Sequence, residues 1–127
     1  MAKRADLPTD SELEILKVLW RHGPSTVRQV FNHLEETRNI GYSTVLKFMQ
    51  IMTDKGSLVR DQSVRPQIYR PAESERQTQK GILRDVLNRA FDGSPGNLVL
   101  QALSSRKTSA EERRQIRELL DRQEDGT

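Results

Sequence analysis

The 127-residue chain contains no cysteine. This absence excludes disulfide bonds, thiolate metal sites and cysteine nucleophiles together. Histidine is scarce as well, and neither His22 nor His33 stands at ligand spacing from a group of acidic residues. The sequence also has no glycine-rich phosphate loop and no Gly-x-Ser-x-Gly motif. We therefore expect neither an enzyme nor a bound metal or cofactor.

Long apolar runs are missing too, and none approaches the roughly 20 residues that span a bilayer. The first residues, MAKRADLPTD, lack the apolar core of a signal peptide. We expect a cytoplasmic protein without membrane insertion. Aromatic residues make up 5% of the chain and apolar residues 34%, so the core of one copy should be small. The net charge of +3 is compatible with an anionic partner.

Two amphipathic helices are predicted before residue 40. The first begins with the capping box 9-TDSE-12, whose side chains satisfy free backbone N–H groups, and it ends at 22-HGP-24. Ser25 or Thr26 should cap the second. The residues expected to face inward recur at helical spacing. They are Leu13, Leu16, Leu19, Trp20, Val27, Val30, Phe31 and Leu34.

The stretch 41-GYSTVLKFMQIMTDKG-56 predicts a third helix, closed by a glycine. Its apolar residues fall at i, i+3, i+4 and i+7 and should face the core. They are Val45, Phe48, Met49 and Met52. The opposite face carries short hydroxyls, an amide and one cation near its start, which is unusual for a face that only meets solvent. These residues are Ser43, Lys47 and Gln50, with Asp54 at the far end.

After this helix, 57-SLVRDQ-62 and 67-QIYRP-71 predict a β-hairpin with Pro66 in the turn or at an edge. Segment 41–71 holds five basic residues and two acidic ones, an excess of three positive charges that equals the net charge of the whole chain. The basic residues are Lys47, Lys55, Arg60, Arg65 and Arg70. The basic character of the protein is therefore concentrated in the third helix and the hairpin.

Three helices followed by a basic hairpin is the order of a winged helix-turn-helix. The major groove of DNA admits one α-helix, which enters by its N-terminal residues, and cations on the wing can reach phosphates. The residues expected to bind DNA are Tyr42, Ser43, Thr44, Lys47, Gln50, Arg60 and Arg65. Gln50 can pair with adenine, and Lys47 can bind guanine acceptors or phosphate.

Several alternatives stay open at this stage. Ser43 and Thr44 could only cap the helix, and Tyr42 could be a core residue or could donate its hydroxyl to a phosphate. Lys55 could only serve the helix C-terminus. Some winged helices bind proteins, so an interaction adaptor that does not bind DNA is the alternative function.

The sequence predicts a boundary near 71-PAES-74, with domains at residues 1–72 and 73–127. Three more helices should follow, the last one opened by a capping box at 108-TSAE-111 and frayed from Glu124 onward. Their apolar residues are expected to form a dimer interface, because these thin helices could bury little alone. They are Ile82, Leu83, Val86, Leu87, Phe91, Leu98, Leu100, Ile116, Leu119 and Leu120. Packing of this stripe on the N-terminal domain is the alternative.

The motifs GPSTV, GYSTVL, KGSLVRD and IYRP resemble those of the penicillinase-repressor family, the BlaI/MecI/CopY-like regulators, over about residues 7–122. The resemblance implies a mainly α fold, with a winged helix-turn-helix N-terminal domain, a small β-hairpin wing and a C-terminal helical dimerisation domain. It further implies a homodimer that represses transcription from a palindromic double-stranded DNA operator of antibiotic-resistance or cell-envelope genes. Such repressors can be controlled by a membrane sensor-protease of the β-lactam sensor type.

Three departures from the family pattern matter. The absence of cysteine argues against the metal sensing of copper-responsive members. Gln101-Ala102 stands where the resemblance places a cleavable Asn-Phe pair, which puts proteolytic induction at that point in doubt. The pair Gln50-Ile51 is neutral where many members carry a basic residue, so the preferred operator should differ.

Overall fold

The computed structural model describes residues 7–125 and is mostly helical, with one antiparallel hairpin in the described part. The elements follow one another as α1 (Asp10–His22), α2 (Val27–Glu35), α3 (Tyr42–Lys55), β1 (Leu58–Asp61), β2 (Ile68–Pro71), α4 (Glu75–Ala90), α5 (Pro95–Ser105) and α6 (Ala110–Asp125). Three helices, a hairpin wing and three further helices agree with the predicted fold class. The chain divides into two compact units, one up to Asp85 and one from Val86. The functional boundary near residue 72 stays a prediction.

Local capping groups set where the first two helices begin. Thr9 caps α1 in the predicted capping box, with its hydroxyl accepting from the Glu12 N–H at 3.2 Å. Thr26, rather than Ser25, caps α2, and Gln29 completes a second capping box. α1 ends at Gly23, whose φ of 86° lies in the left-handed region that favours glycine.

Ser25 has a different role, since it pairs with the wing. Its N–H donates to the Tyr69 carbonyl at 3.0 Å, and the Tyr69 N–H donates back to the Ser25 carbonyl at 2.8 Å. β1 and β2 pair antiparallel, with Leu58 opposite Pro71 and Asp61 opposite Ile68. The segment between α1 and α2 is thereby hydrogen-bonded to β2, so the wing is attached to the helices through its backbone.

The core of the first unit lies between α1, α2, α3 and the base of the hairpin. Its buried apolar residues are Ile15, Leu16, Leu19, Val27, Val30, Leu34, Val45, Met49, Met52, Leu58 and Tyr69. The sequence pattern assigned Leu13, Trp20, Phe31 and Phe48 to this core, but the structure leaves all four only half-buried. It missed Ile15, which is 1% exposed because α1 packs against α2, α3 and β2 at once.

The second unit contains no buried side chain among the described residues. Among the described residues, none after Tyr69 is buried, and large apolar side chains on this part of the chain stand exposed. They are Leu83, Val99, Leu100, Leu103, Leu119 and Leu120, of which Leu83 belongs to the part of α4 that lies in the first unit. The predicted stripe therefore does not fill a core within one copy of the chain.

Two sequence predictions for α6 are corrected. The capping box lies one residue later than expected, because the Ser109 hydroxyl accepts from the Glu112 N–H at 3.0 Å and the Glu112 carboxylate accepts from the Ser109 N–H at 2.8 Å. The helix also continues through Glu124 to Asp125, where the pattern predicted fraying. The last two residues of that predicted tail lie outside the described part.

We predict that Met49→Ala destabilises the first unit by about 2–5 kcal/mol, because it leaves a cavity at a fully buried position. Chemical denaturation monitored by circular dichroism measures the change in the free energy of unfolding. Gln50→Ala is the matched control on the exposed face of the same helix and should cost at most about 0.5 kcal/mol. Equal losses in the two variants would contradict the assigned orientation of α3.

Candidate nucleic-acid interface

The outward face of α3 is built on a buried inward face. Val45, Met49 and Met52 have no exposed surface, which fixes the rotation of the helix about its axis. A rotation by half a turn would expose these three side chains and bury polar ones. The four polar residues of α3 that the sequence predicted to bind DNA are all exposed. They are Ser43, Thr44, Lys47 and Gln50.

The beginning of α3 leaves its hydroxyl groups available. Gly41 is the N-cap residue, and no side chain makes a capping hydrogen bond there. Ser43 and Thr44 lie inside the first turn and are exposed, so the capping role considered for them is wrong. The free backbone N–H groups of the first turn and two short hydroxyl side chains therefore face solvent together, an arrangement that suits phosphate or base-edge acceptors.

The other end of α3 is tied to the start of α1 by an ion pair. Lys55 donates from Nζ to both carboxylate oxygens of Glu12, at 3.0 Å each. The Glu12 side chain is 6% exposed and that of Lys55 36%, so the pair is partly shielded from water. The same carboxylate accepts the Thr9 backbone N–H at 3.0 Å. Lys55 thus joins α3 to α1, a role beyond the helix-terminus function that its position predicted.

The charge state of Glu12 follows from these contacts. Burial acts to raise the pKa of its carboxyl, but the hydrogen bonds from Thr9 and the charge of Lys55 outweigh burial, so the pKa lies below its usual value. The ionised carboxylate is therefore the form that holds α1 and α3 together.

The tip of the wing carries an exposed cation. Arg65 is exposed in the loop between β1 and β2, and its peptide bond to Pro66 is cis. The loop is shaped by Asp61, whose Oδ1 accepts the Ser63 N–H at 2.9 Å and the Ser63 hydroxyl at 2.6 Å. These bonds lower the pKa of Asp61, which stays ionised within the turn.

Arg60 is less accessible than its place in the sequence predicted. It lies opposite Tyr69 in the hairpin and is half-buried. When the Gln62 amide is oriented with its oxygen toward the guanidinium, Oε1 accepts from Arg60 Nε at 3.2 Å and from an Nη at 2.8 Å. Arg60 is therefore partly engaged within the hairpin.

Tyr42, the first residue of α3, is half-buried against α2. Its ring meets that of Phe31 edge-to-face, with centroids 5.8 Å apart, and the Arg28 guanidinium lies 4.2 Å from its centroid. Arg28 was not predicted from the sequence, because its position beside Tyr42 depends on the packing of α2 against α3. No local spacing pattern would have found it.

The metal-ligating side chains within residues 7–125 do not cluster. No group of three or more metal-ligating side chains occurs there, and the two histidines stack on each other with ring centroids 3.8 Å apart. In the same part of the chain, every helix is too short or too polar to cross a bilayer.

The first unit thus has the fold of winged helix proteins, with a solvent-exposed third helix and a hairpin wing. The family model of the penicillinase repressors matches residues 8–122, so the chain belongs to the penicillinase repressor family of transcriptional repressors. This confirms the resemblance found in the sequence motifs.

Two relatives show how far the similarity extends. The penicillinase repressor of Bacillus licheniformis is 26% identical over 113 residues, which cover 89% of this chain and 88% of that protein. The transcriptional regulator BlaI of Mycobacterium tuberculosis, strain H37Rv, is 31% identical over 84 residues. That match covers 65% of this chain and 61% of the regulator.

We predict that Glu12→Gln costs about 1–3 kcal/mol near neutral pH, because it removes an ionised acceptor from a shielded ion pair. A carboxyl with a lowered folded pKa stabilises the fold above its unfolded pKa, and this contribution is lost as pH falls through the folded pKa. Denaturation midpoints measured from neutral to acidic pH should therefore converge for the two proteins. Glu14→Gln, at a half-buried residue on the same helix whose side chain is 39% exposed, is the control and should follow the original chain throughout. A constant gap at all pH values would contradict the assigned ion pair.

Proposed function

We propose that the protein represses transcription by binding double-stranded DNA as a homodimer through α3 and the wing. The observation that carries this proposal is the exposed face of α3, where short polar side chains surround Lys47. Within the described residues, no carboxylate lies within ion-pair distance of Lys47 or Arg65. Cations without internal partners on one helix face and at a wing tip suit the phosphates that border a groove.

In this proposal α3 is the recognition helix and lies in the major groove. Ser43, Thr44 and Gln50 approach base edges, and the Gln50 amide can pair with adenine through two hydrogen bonds. Lys47 and Arg65 bind phosphate oxygens on either side of the groove and supply salt-dependent affinity. Arg60 can bind the same DNA backbone only if its guanidinium leaves Gln62, so its contribution to the affinity should be smaller.

A second copy of the chain completes the proposed binding unit. The apolar side chains of α4, α5 and α6 are half-buried or exposed in one copy, so pairing two copies would remove them from water. A dimer with twofold symmetry presents two recognition helices to successive turns of DNA. The operator should therefore be a palindrome with half-sites about 10 bp apart or a multiple of that spacing.

The name of one relative supports a proposal about the target genes. One is named penicillinase repressor, so we propose antibiotic-resistance or cell-envelope genes, controlled in the cytoplasm where the DNA lies. If a membrane sensor-protease is the partner, Gln101-Ala102 in α5 is a poor candidate for its cleavage point. These two residues are exposed on a regular helix, and the Gln101 amide donates to Asn97 at 3.1 Å.

The direct test measures binding to random-sequence duplex DNA at several salt concentrations. We expect the original chain to bind at low salt, with affinity that falls steeply as salt increases. Lys47→Ala should weaken binding and reduce the slope of log affinity against log salt by about 1 for each protomer. Lys17→Ala is the matched control, because it removes one positive charge from α1 rather than from α3. Lys17 Nζ lies 4.0 Å from Glu14 Oε1.

Absence of binding by the original chain at micromolar concentration and low salt would contradict the proposal and favour a protein-interaction adaptor. Equal effects of the Lys47 and Lys17 substitutions would contradict the assigned face of α3, since both remove one positive charge from the first unit.

The dimer is tested separately. We predict that Leu87→Asp converts the dimer to a monomer, because an unpaired carboxylate would be buried in the proposed apolar interface. Sedimentation should show the original chain at twice 14.6 kDa and the variant at 14.6 kDa. Asn88→Asp adds the same charge at the next, exposed position and should stay dimeric. A dimeric Leu87→Asp variant would exclude this interface.

A further inference from the structure

Arg28 on α2 lies over an aromatic pair. Its guanidinium carbon is 4.2 Å from the centroid of the Tyr42 ring and 5.6 Å from that of Phe31. The two rings meet at an interplanar angle of 80°, so the tyrosine ring is itself held in place by α2. A guanidinium at this distance from an aromatic face is attracted by the ring electrons, which restricts the long arginine side chain.

Arg28 keeps an unneutralised positive charge despite its attraction to the tyrosine ring. It is exposed, and among the described residues no carboxylate lies within ion-pair distance of it. It is also the second residue of α2, close to the positive end of the helix dipole, where a cation is unfavourable. The cost of this placement suggests that the guanidinium meets an anion from outside the chain.

The location identifies which anion. Tyr42 is the first residue of α3, and the next two residues along the chain are Ser43 and Thr44, which face solvent. The stacked guanidinium is therefore at the entry of the proposed recognition helix, where the DNA backbone must pass if α3 lies in the major groove. A planar guanidinium can bind two phosphate oxygens at once, and stacking leaves its N–H edges free to do so.

We propose that Arg28 is a DNA phosphate contact supplied by α2 and that Tyr42 is a positioning residue that orients it. This inference rests on the proposed function, since it needs DNA to lie against α3. It also changes the role expected for Tyr42. The ring orients Arg28, and the hydroxyl is not needed to bind a phosphate.

The experiment compares five variants and one control variant with the original chain on the same random-sequence duplex DNA, at four salt concentrations. Arg28→Ala should reduce the slope of log affinity against log salt by about 1 for each protomer, and Arg28→Lys should keep the slope because it keeps the charge. Tyr42→Phe keeps the aromatic ring without its hydroxyl and should bind like the original chain. Tyr42→Leu removes the aromatic face and should lower affinity. Arg28→Ala introduced into the Tyr42→Leu variant should lower affinity less than the same substitution does in the original chain.

Lys17→Ala serves again as the control for loss of one charge, and thermal unfolding shows that each variant is folded. An Arg28→Ala variant that binds like the original chain, while the original chain binds DNA, would overturn the contact and leave the proposed function intact. A loss in Tyr42→Phe as large as that in Arg28→Ala would assign the contact to the hydroxyl and overturn the positioning role. Absence of DNA binding by the original chain would instead defeat the proposed function itself.

Discussion

The structure of the first unit depends on α3, which packs one side into the core and leaves the other side exposed to solvent. Its inward side chains Val45, Met49 and Met52 are fully buried and contribute to the core shared with α1, α2 and the wing. Because this burial fixes the rotation of the helix, Lys47 and Gln50 lie exposed on the opposite side. The same apolar packing that stabilises the fold therefore decides which side chains are on the face proposed to bind DNA.

The ends of α3 are held by different means. Lys55 binds the shielded carboxylate of Glu12, so an ionised group at the start of α1 restrains the C-terminal end of α3. At the N-terminal end, the Tyr42 ring packs on Phe31 of α2. The wing is joined to the helices by the backbone pairing of Ser25 with Tyr69. The third helix and the wing are thus positioned by an ion pair, an aromatic contact and backbone hydrogen bonds.

The sequence predicted the features that depend on neighbouring residues. Capping at Thr9, the glycine that closes α3 and the hairpin all follow from local chemistry, and the α3 apolar stripe follows from helical spacing. The contacts that depend on packing were not predictable. Glu12 and Lys55 are 43 positions apart, and Arg28 meets Tyr42 only once α2 lies against α3. Burial of Ile15 was likewise missed because one helical stripe cannot show that α1 has three neighbours.

The exposed face of α3 is the surface proposed to enter DNA. Backbone amide NMR of the protein, titrated with a short duplex, shows which residues meet the DNA. We expect the largest shifts at Ser43, Thr44, Lys47 and Gln50 and at the wing around Arg65, with small shifts along the exposed side of α1. Shifts confined to α1 or to the second unit, with α3 unchanged at saturating DNA, would exclude α3 as the DNA-binding surface.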